Sequence, residues 1–367
     1  MLPSLRTLSS VSRMTQTSAA KQPRALVFGL GAIGGIYAAI LKRSNACDVS
    51  IVARSTYDGV KKHGLRFNSE KHGNEVAQFG DNVFRDTKEA AASGSFDYVL
   101  CANKALLDAK PSLAELISPV IGPETAIVLL QNGVGNEVPL HAAFPKNTIL
   151  SAVVWTGGRV VPTTDGSVEV AQFAREGLTI GVDHAEGADP EQEKAQLDRF
   201  VDILHKGGST DTVTTDDIQS ARWIKVIWNC AWNSLTAVTR VRTNHIFQSS
   251  EGAADLSLEL MREVTAVAKA KGLNIPDGTP EKLLNDVQVV PGPGLPSSMM
   301  MDNEAGRPME VEVILGTPVR EGKRLGVPVP ILTTLSTGAT PTGDPLNLCM
   351  MMRLTWTTTK RKATEQE

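Results

Sequence analysis

The most informative polar residues of this chain lie in a largely apolar stretch between positions 222 and 238, where Lys225, Asn229 and Asn233 recur at intervals of four. Residues at this spacing share one face of an α-helix. An amine beside two neutral amides can donate a proton and hold a small polar substrate. The alternative is an ordinary solvated helix face, although such faces usually carry acidic residues too, and this one has none after Asp217.

The apolar residues of the same stretch predict the helix itself. Their i, i+3, i+4 spacing forms a stripe that would face a core. The stripe consists of Ile224, Ile227, Ala231, Leu235 and Val238. Trp228 and Trp232 flank the polar face.

Length and composition limit the classes of protein to consider. A chain of 367 residues is long enough for two domains, and 41% apolar residues is ordinary for a globular protein. A net charge of −3 disfavours nucleic acid or an anionic membrane as the main partner. The four cysteines show no metal-ligand spacing, and three of them lie in apolar or mixed segments, so we expect no metal and favour buried reduced thiols over disulfides. No run of eighteen apolar residues predicts a membrane-spanning helix.

Residues 1–23 form a separate N-terminal extension. They contain Arg6, Arg13 and Lys21, eight serines or threonines and no acidic residue. This composition is typical of a mitochondrial transit peptide, and a disordered tail without a targeting role is the alternative. The two interpretations predict a mitochondrial and a cytoplasmic protein, respectively.

A glycine-rich turn follows the first predicted strand. The apolar run 25–28 leads into Gly29, Gly31 and Gly34, and an apolar helical stretch continues from there. Strand, glycine turn and helix in this order form the dinucleotide-binding fingerprint, in which the pyrophosphate lies at the helix N-terminus. The sequence therefore predicts a nicotinamide-type dinucleotide as cofactor.

The end of the second predicted strand indicates which dinucleotide is bound. NAD-binding proteins usually place an acidic residue there to hold the ribose 2′-hydroxyl, whereas an arginine accommodates a 2′-phosphate. This chain has Arg54 at that point, with no acidic residue until Asp58. A guanidinium pairs with phosphate, so the sequence favours NADPH over NADH.

Polar residues also follow two later buried strands: Lys104 comes after the run 96–102 and Asn132 after the run 126–130. In open α/β sheets, ligands bind at the carboxyl ends of the strands. We expect a Rossmann-type dinucleotide-binding domain over residues 24–206, a linker over 207–219 and a mostly α-helical substrate domain over 220–335. A third helix of this domain should begin near Arg307-Pro308, because proline suits the first helical turn.

In combination these motifs resemble the ketopantoate reductase (2-dehydropantoate 2-reductase) family, within the 6-phosphogluconate-dehydrogenase-like superfamily, over about residues 24–332. The resemblance implies an α/β fold, NADPH as cofactor and a small 2-keto acid as substrate, and it is compatible with a homodimer. It implies that Lys225 is the general acid. It also implies cofactor contacts by Gly29, Leu30, Gly31, Ala32, Ile33, Gly34, Arg54, Lys104, Asn132 and Glu310, and substrate contacts by Lys225, Asn229, Asn233, Asn244 and Ser298.

The implied chemistry suits these residue types. Reduction of a 2-keto acid places negative charge on the former carbonyl oxygen, which a lysine ammonium can stabilise and protonate. Glu310 would keep Lys225 protonated if the two side chains meet, because an opposite charge favours the charged form. Helical periodicity leaves open whether Glu310 or Glu312 faces the site.

One region departs from the family pattern. After residue 332 the family normally closes with a helix, whereas residues 336–345 of this chain are rich in glycine, proline and threonine. Such a composition opposes helix formation, so we expect a disordered tail over residues 336–367.

Three functions are consistent with the sequence. The first is NADPH-dependent reduction of ketopantoate to (R)-pantoate in pantothenate biosynthesis. The second is the same mechanism on another 2-keto acid, as in mandelate-type dehydrogenases, because Trp228 and Trp232 could shape a pocket for a bulkier acyl chain. The third is a non-catalytic NADP-binding module, against which the complete set of polar residues argues.

Overall fold

The computed structural model describes residues 22–338 except positions 174, 290, 291, 293 and 295. Residues 1–21 of the predicted extension, and residues 339–367 of the predicted tail, lie outside the described part. Residues 22 and 23 contact the first domain: Gln22 Nε2 donates to the carbonyl of Asn45 at 2.9 Å, and Asp48 N–H donates to the carbonyl of Pro23 at 2.8 Å.

The strands of the described residues lie between positions 24 and 214. In chain order they are β1 (Arg24–Phe28), β2 (Asp48–Val52), β3 (Leu65–Ser69), β4 (Gly73–Ala77), β5 (Val83–Phe84), β6 (Tyr98–Cys101), β7 (Ala126–Leu129), β8 (Ile149–Val154), β9 (Gly157–Val161), β10 (Val168–Phe173), β11 (Leu178–Asp183) and β12 (Val213–Thr214).

The main sheet has the order β12-β11-β8-β7-β6-β1-β2-β5. The six strands from β8 to β5 in this order all run parallel. Their arrangement is that of a doubly wound dinucleotide-binding sheet. Because the strand order reverses between β1 and β6, the crevice at their carboxyl ends is the expected ligand site. The predicted α/β fold with an N-terminal Rossmann-type domain is confirmed.

Helices of the described residues are, in chain order, α1 (Ala32–Ser44), α2 (Tyr57–His63), α3 (Thr87–Ala91), α4 (Leu113–Ile117), α5 (Val138–Ala143), α6 (Pro190–Lys206), α7 (Ile218–Thr239), α8 (Thr243–Ser249), α9 (Ala253–Ala270), α10 (Thr279–Gln288), α11 (Ser298–Glu304), α12 (Thr317–Leu325) and α13 (Pro330–Gly338). A 3₁₀ turn covers Ser118–Val120, and a π-helical turn over Glu312–Gly316 precedes α12.

A smaller sheet, β4-β3-β10-β9, covers the outer side of α1. Helix α1 is therefore enclosed between two sheets, which explains why every residue from Gly34 to Leu41 is buried. Enclosure on both sides fixes the position of the helix and hence of the glycine turn at its N-terminus.

The second domain is helical, as predicted, and it packs around α7. Its core includes Trp223, Trp232, Leu260, Met261 and Ile314. Two residues of the first domain, Ala105 after β6 and Val134 after β7, belong to the same core. The helical domain is thus attached to the carboxyl edge of the main sheet.

Three boundaries differ from the sequence expectations. The expected linker contains a strand, β12, whose Val213 and Thr214 pair with β11, and α7 begins at Ile218. The helix expected from Arg307 begins only after Glu310, because residues 307–310 form the loop that carries Glu310 into the domain boundary.

The expectation of a disordered tail was wrong for residues 336–338, which belong to α13. Two side chains of this helix, Leu332 and Leu335, are buried in the core. At the first turn of α13, the Glu263 carboxylate accepts the N–H groups of Ile331 (3.0 Å) and Leu332 (2.9 Å). Tertiary burial and this capping interaction outweigh the weak helix propensity of the local sequence.

Candidate active site

Helix α7 carries the polar ladder along the boundary of the two domains. Its first turn is capped by Asp217, whose carboxylate accepts the N–H of Ser220 at 3.0 Å. Asn229 and Asn233 are each only 3% exposed, so the ladder is not a solvated helix face. The amide nitrogen of Asn229 is buried and has no hydrogen-bond partner within the described part of the chain. A buried donor without a partner is costly and is expected where a ligand completes the site.

The half-buried Lys225 side chain points at the carboxyl end of β8. Its ammonium donates to the carbonyl of Val154 and lies 5.5 Å from the centre of the Trp155 ring. A small polar cavity lies here, lined by Gln131, Asn132, Gly133, Ala152, Val153, Val154, Arg222 and Lys225. Burial, and secondly the charge of Arg222, lower the Lys225 pKa to about 8, against the opposing effect of Glu310. A lysine tuned in this way can give up a proton near neutral pH.

Arg222, for which the sequence suggested no role, lies one helical turn before Lys225. Its buried guanidinium donates to the carbonyls of Gly133 (3.0 Å), Gln131 (2.9 Å) and Ala152 (3.1 Å), and to Ser151 Oγ (3.1 Å). Arg222 therefore ties α7 to the segments after β7 and within β8, and it fixes Lys225 against the sheet edge. The only sequence signal was a cation three residues before Lys225 on the same predicted helix.

Glu310 is buried and contacts Asn132, one of the residues that line this cavity. Its carboxylate accepts the Ala105 N–H at 3.0 Å and the Asn132 side-chain amide at 3.4 Å, and it lies 3.8 Å from the Lys104 ammonium. The direct ion pair of Glu310 is thus with Lys104, and none joins it to Lys225 among the described residues. Glu310 raises the Lys225 pKa, in the expected direction, but it does so without a direct contact, and burial and Arg222 outweigh it.

Lys104 has a second, closer carboxylate partner, the buried Asp302 of α11. Asp302 also accepts Arg307 Nε at 3.0 Å. Asp302 is another residue that sequence reasoning missed. By contrast, Glu312 pairs with Arg320, so the structure resolves the ambiguity between the two glutamates in favour of Glu310.

The second half of α7 meets the segment that carries Ser298. Ser297 caps α11 through its hydroxyl, which bonds the Met300 N–H at 3.0 Å and the Thr236 hydroxyl at 2.6 Å. Ser298, the first residue of α11, is half-buried beside this contact. Asn244 on α8 is buried and accepts the Thr243 hydroxyl at 3.2 Å. The Ser297–Thr236 contact places the first turn of α11, which carries Ser298, beside the turn of α7 that follows Asn233.

The glycine turn has the geometry that a dinucleotide requires. Gly29 has φ of +102°, and a Cβ there would lie 2.4 Å from the Asn103 nitrogen, while a Cβ on Gly34 would lie 1.9 Å from the Gly29 carbonyl oxygen. Gly31, in contrast, is exposed, and a Cβ on it would have no atom within 4 Å. Leu30, Ala32 and Ile33 are half-buried around it.

The glycine turn is thus tightly packed at Gly29 and Gly34 and open at Gly31. No side chain caps the first turn of α1, and that turn contains no acidic residue. Free N–H groups beside open space suit a pyrophosphate. Gly29, Leu30, Gly31, Ala32, Ile33 and Gly34 therefore fit the phosphates of a dinucleotide.

Arg54 lies just past the carboxyl end of β2, exposed to solvent. Among the described residues its guanidinium has no hydrogen-bond or ion-pair partner. Arg85 follows the neighbouring strand β5, but it pairs with Asp58 at 3.0 Å and lies 3.8 Å from the centre of the Tyr57 ring. Arg54 is therefore the guanidinium available to a 2′-phosphate, and its contact with one remains a prediction.

Trp228 and Trp232 of α7 both contact the helical core. Trp232 is fully buried in the helical core against Phe247, with ring centres 5.5 Å apart, and Trp228 packs against the same core. Trp155, which had no predicted role, is the tryptophan beside Lys225. The residue spacing within α7 could not predict that Trp155, which follows the distant strand β8, lies beside Lys225.

Within residues 22–338, apart from the five omitted positions, no cluster of His, Cys, Asp or Glu could hold a metal ion. The same part of the chain contains no helix long and apolar enough to cross a membrane.

Comparison with known families identifies the family of this chain. The family model described as "Ketopantoate reductase PanE/ApbA" matches residues 25–183, and that described as "Ketopantoate reductase PanE/ApbA C terminal" matches residues 217–339. The chain belongs to the ketopantoate reductase family. It is an NADP-dependent oxidoreductase, which excludes the non-catalytic binding module.

Individual relatives agree with this assignment to the ketopantoate reductase family. A 2-dehydropantoate 2-reductase from Nostoc sp. is 27% identical, over 84% of this chain and 92% of that protein. The crystal structure of 2-dehydropantoate 2-reductase from Methylococcus capsulatus has a TM-score of 0.72 at 33% identity, covering 86% of this chain and 94% of that one. A dimeric ketopantoate reductase from Staphylococcus aureus has a TM-score of 0.65 at 25% identity, covering 86% and 96%.

The fold extends beyond enzymes that carry the ketopantoate reductase name. D-Mandelate dehydrogenase, in a structure with NADH and anilino(oxo)acetate, has a TM-score of 0.72 and covers 86% of this chain and 96% of that one. Its sequence identity is 19%, so this likeness concerns the fold alone.

Proposed function

We propose that this protein reduces 2-dehydropantoate (ketopantoate) to (R)-pantoate with NADPH, and that Lys225 is the proton donor. The observation that carries the proposal is the position of Lys225. Its ammonium lies in a polar cavity at the carboxyl edge of the main sheet, and its pKa is lowered to about 8. Membership of the ketopantoate reductase family supports the same substrate.

The residues at the domain boundary have distinct tasks in this mechanism. NADPH, when bound at the glycine turn, supplies the hydride that reduces the keto carbon. Lys225 stabilises the negative charge that develops on the carbonyl oxygen and gives that oxygen its proton. Arg222 contributes by holding the Lys225 segment of α7 against the carbonyls that follow β7.

The asparagines of α7 bind the substrate in this proposal. The free amide N–H groups of buried Asn229 suit a carbonyl or carboxylate oxygen, and Asn233 adds a second amide one turn further along. Because amides do not titrate near neutral pH, they bind oxygen atoms without competing with Lys225 for protons. In this proposal Ser298, on α11, and Asn244, on α8, bind the remaining polar groups of the substrate.

On the cofactor side, Glu310 contacts both Asn132 and Lys104, and Asp302 is the closer partner of Lys104. The Glu310 carboxylate is itself fixed by the Ala105 N–H, so it can orient both side chains toward the crevice at the carboxyl ends of β6 and β7. Both residues therefore suit the nicotinamide riboside.

The test of this function is the loss of NADPH absorbance with a panel of 2-keto acids. We expect the highest kcat/KM for 2-dehydropantoate, above 2-ketoisovalerate, pyruvate and benzoylformate. A higher kcat/KM for another acid would reassign the substrate while keeping the mechanism. No turnover of any acid by a protein that binds NADPH would refute the proposal.

A second candidate is the reduction of an aromatic 2-keto acid by the same residues. The aromatic ring of Trp155 beside Lys225 favours it, because an aryl substituent on the keto carbon could stack there. The same panel separates the two functions, since benzoylformate would then exceed 2-dehydropantoate.

We also propose that the protein forms a homodimer. The support is the dimeric relative from Staphylococcus aureus. Light scattering of the purified chain should give twice the monomer mass of 39.2 kDa, and a monomer at micromolar concentration would contradict the proposal.

A further inference from the structure

Trp155 differs from the other tryptophans that the structure describes. Trp223 and Trp232 are fully buried in the helical core, and Trp228 packs against that core. Trp155 instead follows β8 directly and is 36% exposed. Exposure of a large aromatic residue beside a lysine with a perturbed pKa calls for an explanation.

The backbone and the ring of Trp155 are both held by the segment around β11. The indole Nε1 donates to Thr179 Oγ1 at 3.0 Å, and the backbone N–H donates to the Gly177 carbonyl at 2.9 Å. The next residue, Thr156, is bonded through its hydroxyl to the Tyr37 hydroxyl of α1 at 3.0 Å. The ring is therefore a fixed surface.

The Trp155 ring lies close enough to Lys225 to contact a substrate bound there. The ring centre lies 5.5 Å from the Lys225 ammonium, the group that must approach the keto oxygen to about 3 Å. The carbon next to the keto carbon is two bonds beyond that oxygen. An acyl chain of a bound keto acid consequently comes within contact distance of the indole if it turns toward β8.

We propose that Trp155 is a specificity-determining residue, which packs against the carbon chain attached to the keto carbon and favours 2-keto acids branched at the adjacent carbon. The inference rests on the proposed function and names the substrate class within it. The physical basis is apolar contact: a branched carbon buries methyl or methylene groups on the ring, whereas pyruvate has none beyond its single methyl group.

Other roles for the ring predict different results. A ring that packs on the nicotinamide would change NADPH affinity and would affect all acids alike. A ring that only stabilises the Lys225 ammonium by a cation–π interaction would change the pH profile for all acids alike. Only the proposed role makes the effect of a substitution depend on the branching of the acid.

The experiment compares Trp155→Ala, Trp155→Phe and Thr179→Val with the wild type on 2-dehydropantoate, 2-ketoisovalerate and pyruvate. For Trp155→Ala we expect kcat/KM to fall at least about tenfold for the two branched acids and less than about threefold for pyruvate. Trp155→Phe should keep most of the discrimination, because a ring remains. Thr179→Val, which removes the partner of Nε1, should give a smaller change in the same direction.

Val160→Ala is the matched control, since Val160 is an exposed apolar side chain on β9 that makes no contact with Lys225. It should leave the ratio of branched to unbranched acids unchanged. NADPH titration and thermal unfolding establish that each variant is folded. If Trp155→Ala does not fold, Trp155→Phe and Thr179→Val decide the question through the same ratio.

Equal losses for all three acids, or a selective loss of NADPH affinity, would overturn the assignment of Trp155. Failure of the proposed function gives a different result, which is seen in the wild type: the wild type would then prefer another acid or reduce none. If the wild type prefers an aromatic acid, the proposed substrate is wrong, and the ratio of that acid to pyruvate tests Trp155 instead. A wild type that reduces no 2-keto acid overturns both.

Discussion

The pH dependence of reduction tests the assignment of Lys225 most directly. A proton donor must be protonated at the start of the reaction, so activity should be full below its pKa and lost as the pH rises through it. The Lys225 pKa is lowered from 10.5 to about 8 by burial and by Arg222. This corresponds to roughly 3 kcal/mol in favour of the neutral amine.

The expected profile follows from that value. With a pKa of about 8, about 90% of Lys225 is protonated at pH 7 and about 10% at pH 9, so kcat/KM for reduction should fall about tenfold between the two. Glu310→Gln removes the carboxylate that raises the Lys225 pKa while keeping the side-chain shape. The midpoint of the fall should therefore move to lower pH.

Initial rates between pH 6 and about 10, at saturating NADPH, measure this midpoint. Glu312→Gln is the matched control, because Glu312 lies two residues away but pairs with Arg320, and its midpoint should equal that of the wild type. The height of the profile is not the readout, since Glu310 also holds Lys104 and Asn132. An unchanged midpoint in Glu310→Gln, or an equal shift in both variants, would refute the electrostatic reasoning.

Three further predictions address the remaining assignments. Lys225→Ala should lower kcat by about 10² to 10⁴ with little change in NADPH affinity, and Lys225→Arg should restore little activity, because a guanidinium is a poor proton donor; a near-normal kcat in Lys225→Ala would contradict the mechanism. Arg54→Glu should weaken NADPH binding far more than NADH binding, as measured by titration, and equal losses would argue against the 2′-phosphate contact. If residues 1–23 are a transit peptide, a fluorescent fusion of this segment should enter mitochondria, whereas the same fusion with Arg6→Glu and Arg13→Glu should not; cytosolic signal from the unmutated fusion would leave only the tail interpretation.

Features set by short-range pattern were predictable from the sequence. The strand, glycine turn and helix of residues 24–44 follow from an apolar run, three glycines and an apolar helix in close succession. The helix that carries Lys225, Asn229 and Asn233 follows from its own periodicity, and its observed bounds include the whole predicted stretch. These signals are local, because hydrophobic period and glycine conformation act within one or two turns of chain.

Boundary elements were less predictable, because tertiary contacts outweigh local propensity there. The closing helix forms through residues of poor helix propensity because Leu332 and Leu335 are buried and Glu263, 68 residues earlier, accepts the Ile331 N–H. The segment expected to be a linker contains β12 because β11 offers it a free edge. Neither partner is visible in the local pattern.

The sequence by itself therefore determined the fold class, the dinucleotide turn and the face of α7 that carries the polar ladder. Only the tertiary structure decided the charges and surfaces around that ladder. Glu310 pairs with Lys104, 206 positions away in the chain, and the Lys225 ammonium bonds the carbonyl of Val154, 71 positions away. Such pairings depend on how the helical domain packs against the sheet edge, and periodicity carries no information about packing between elements so distant in the chain.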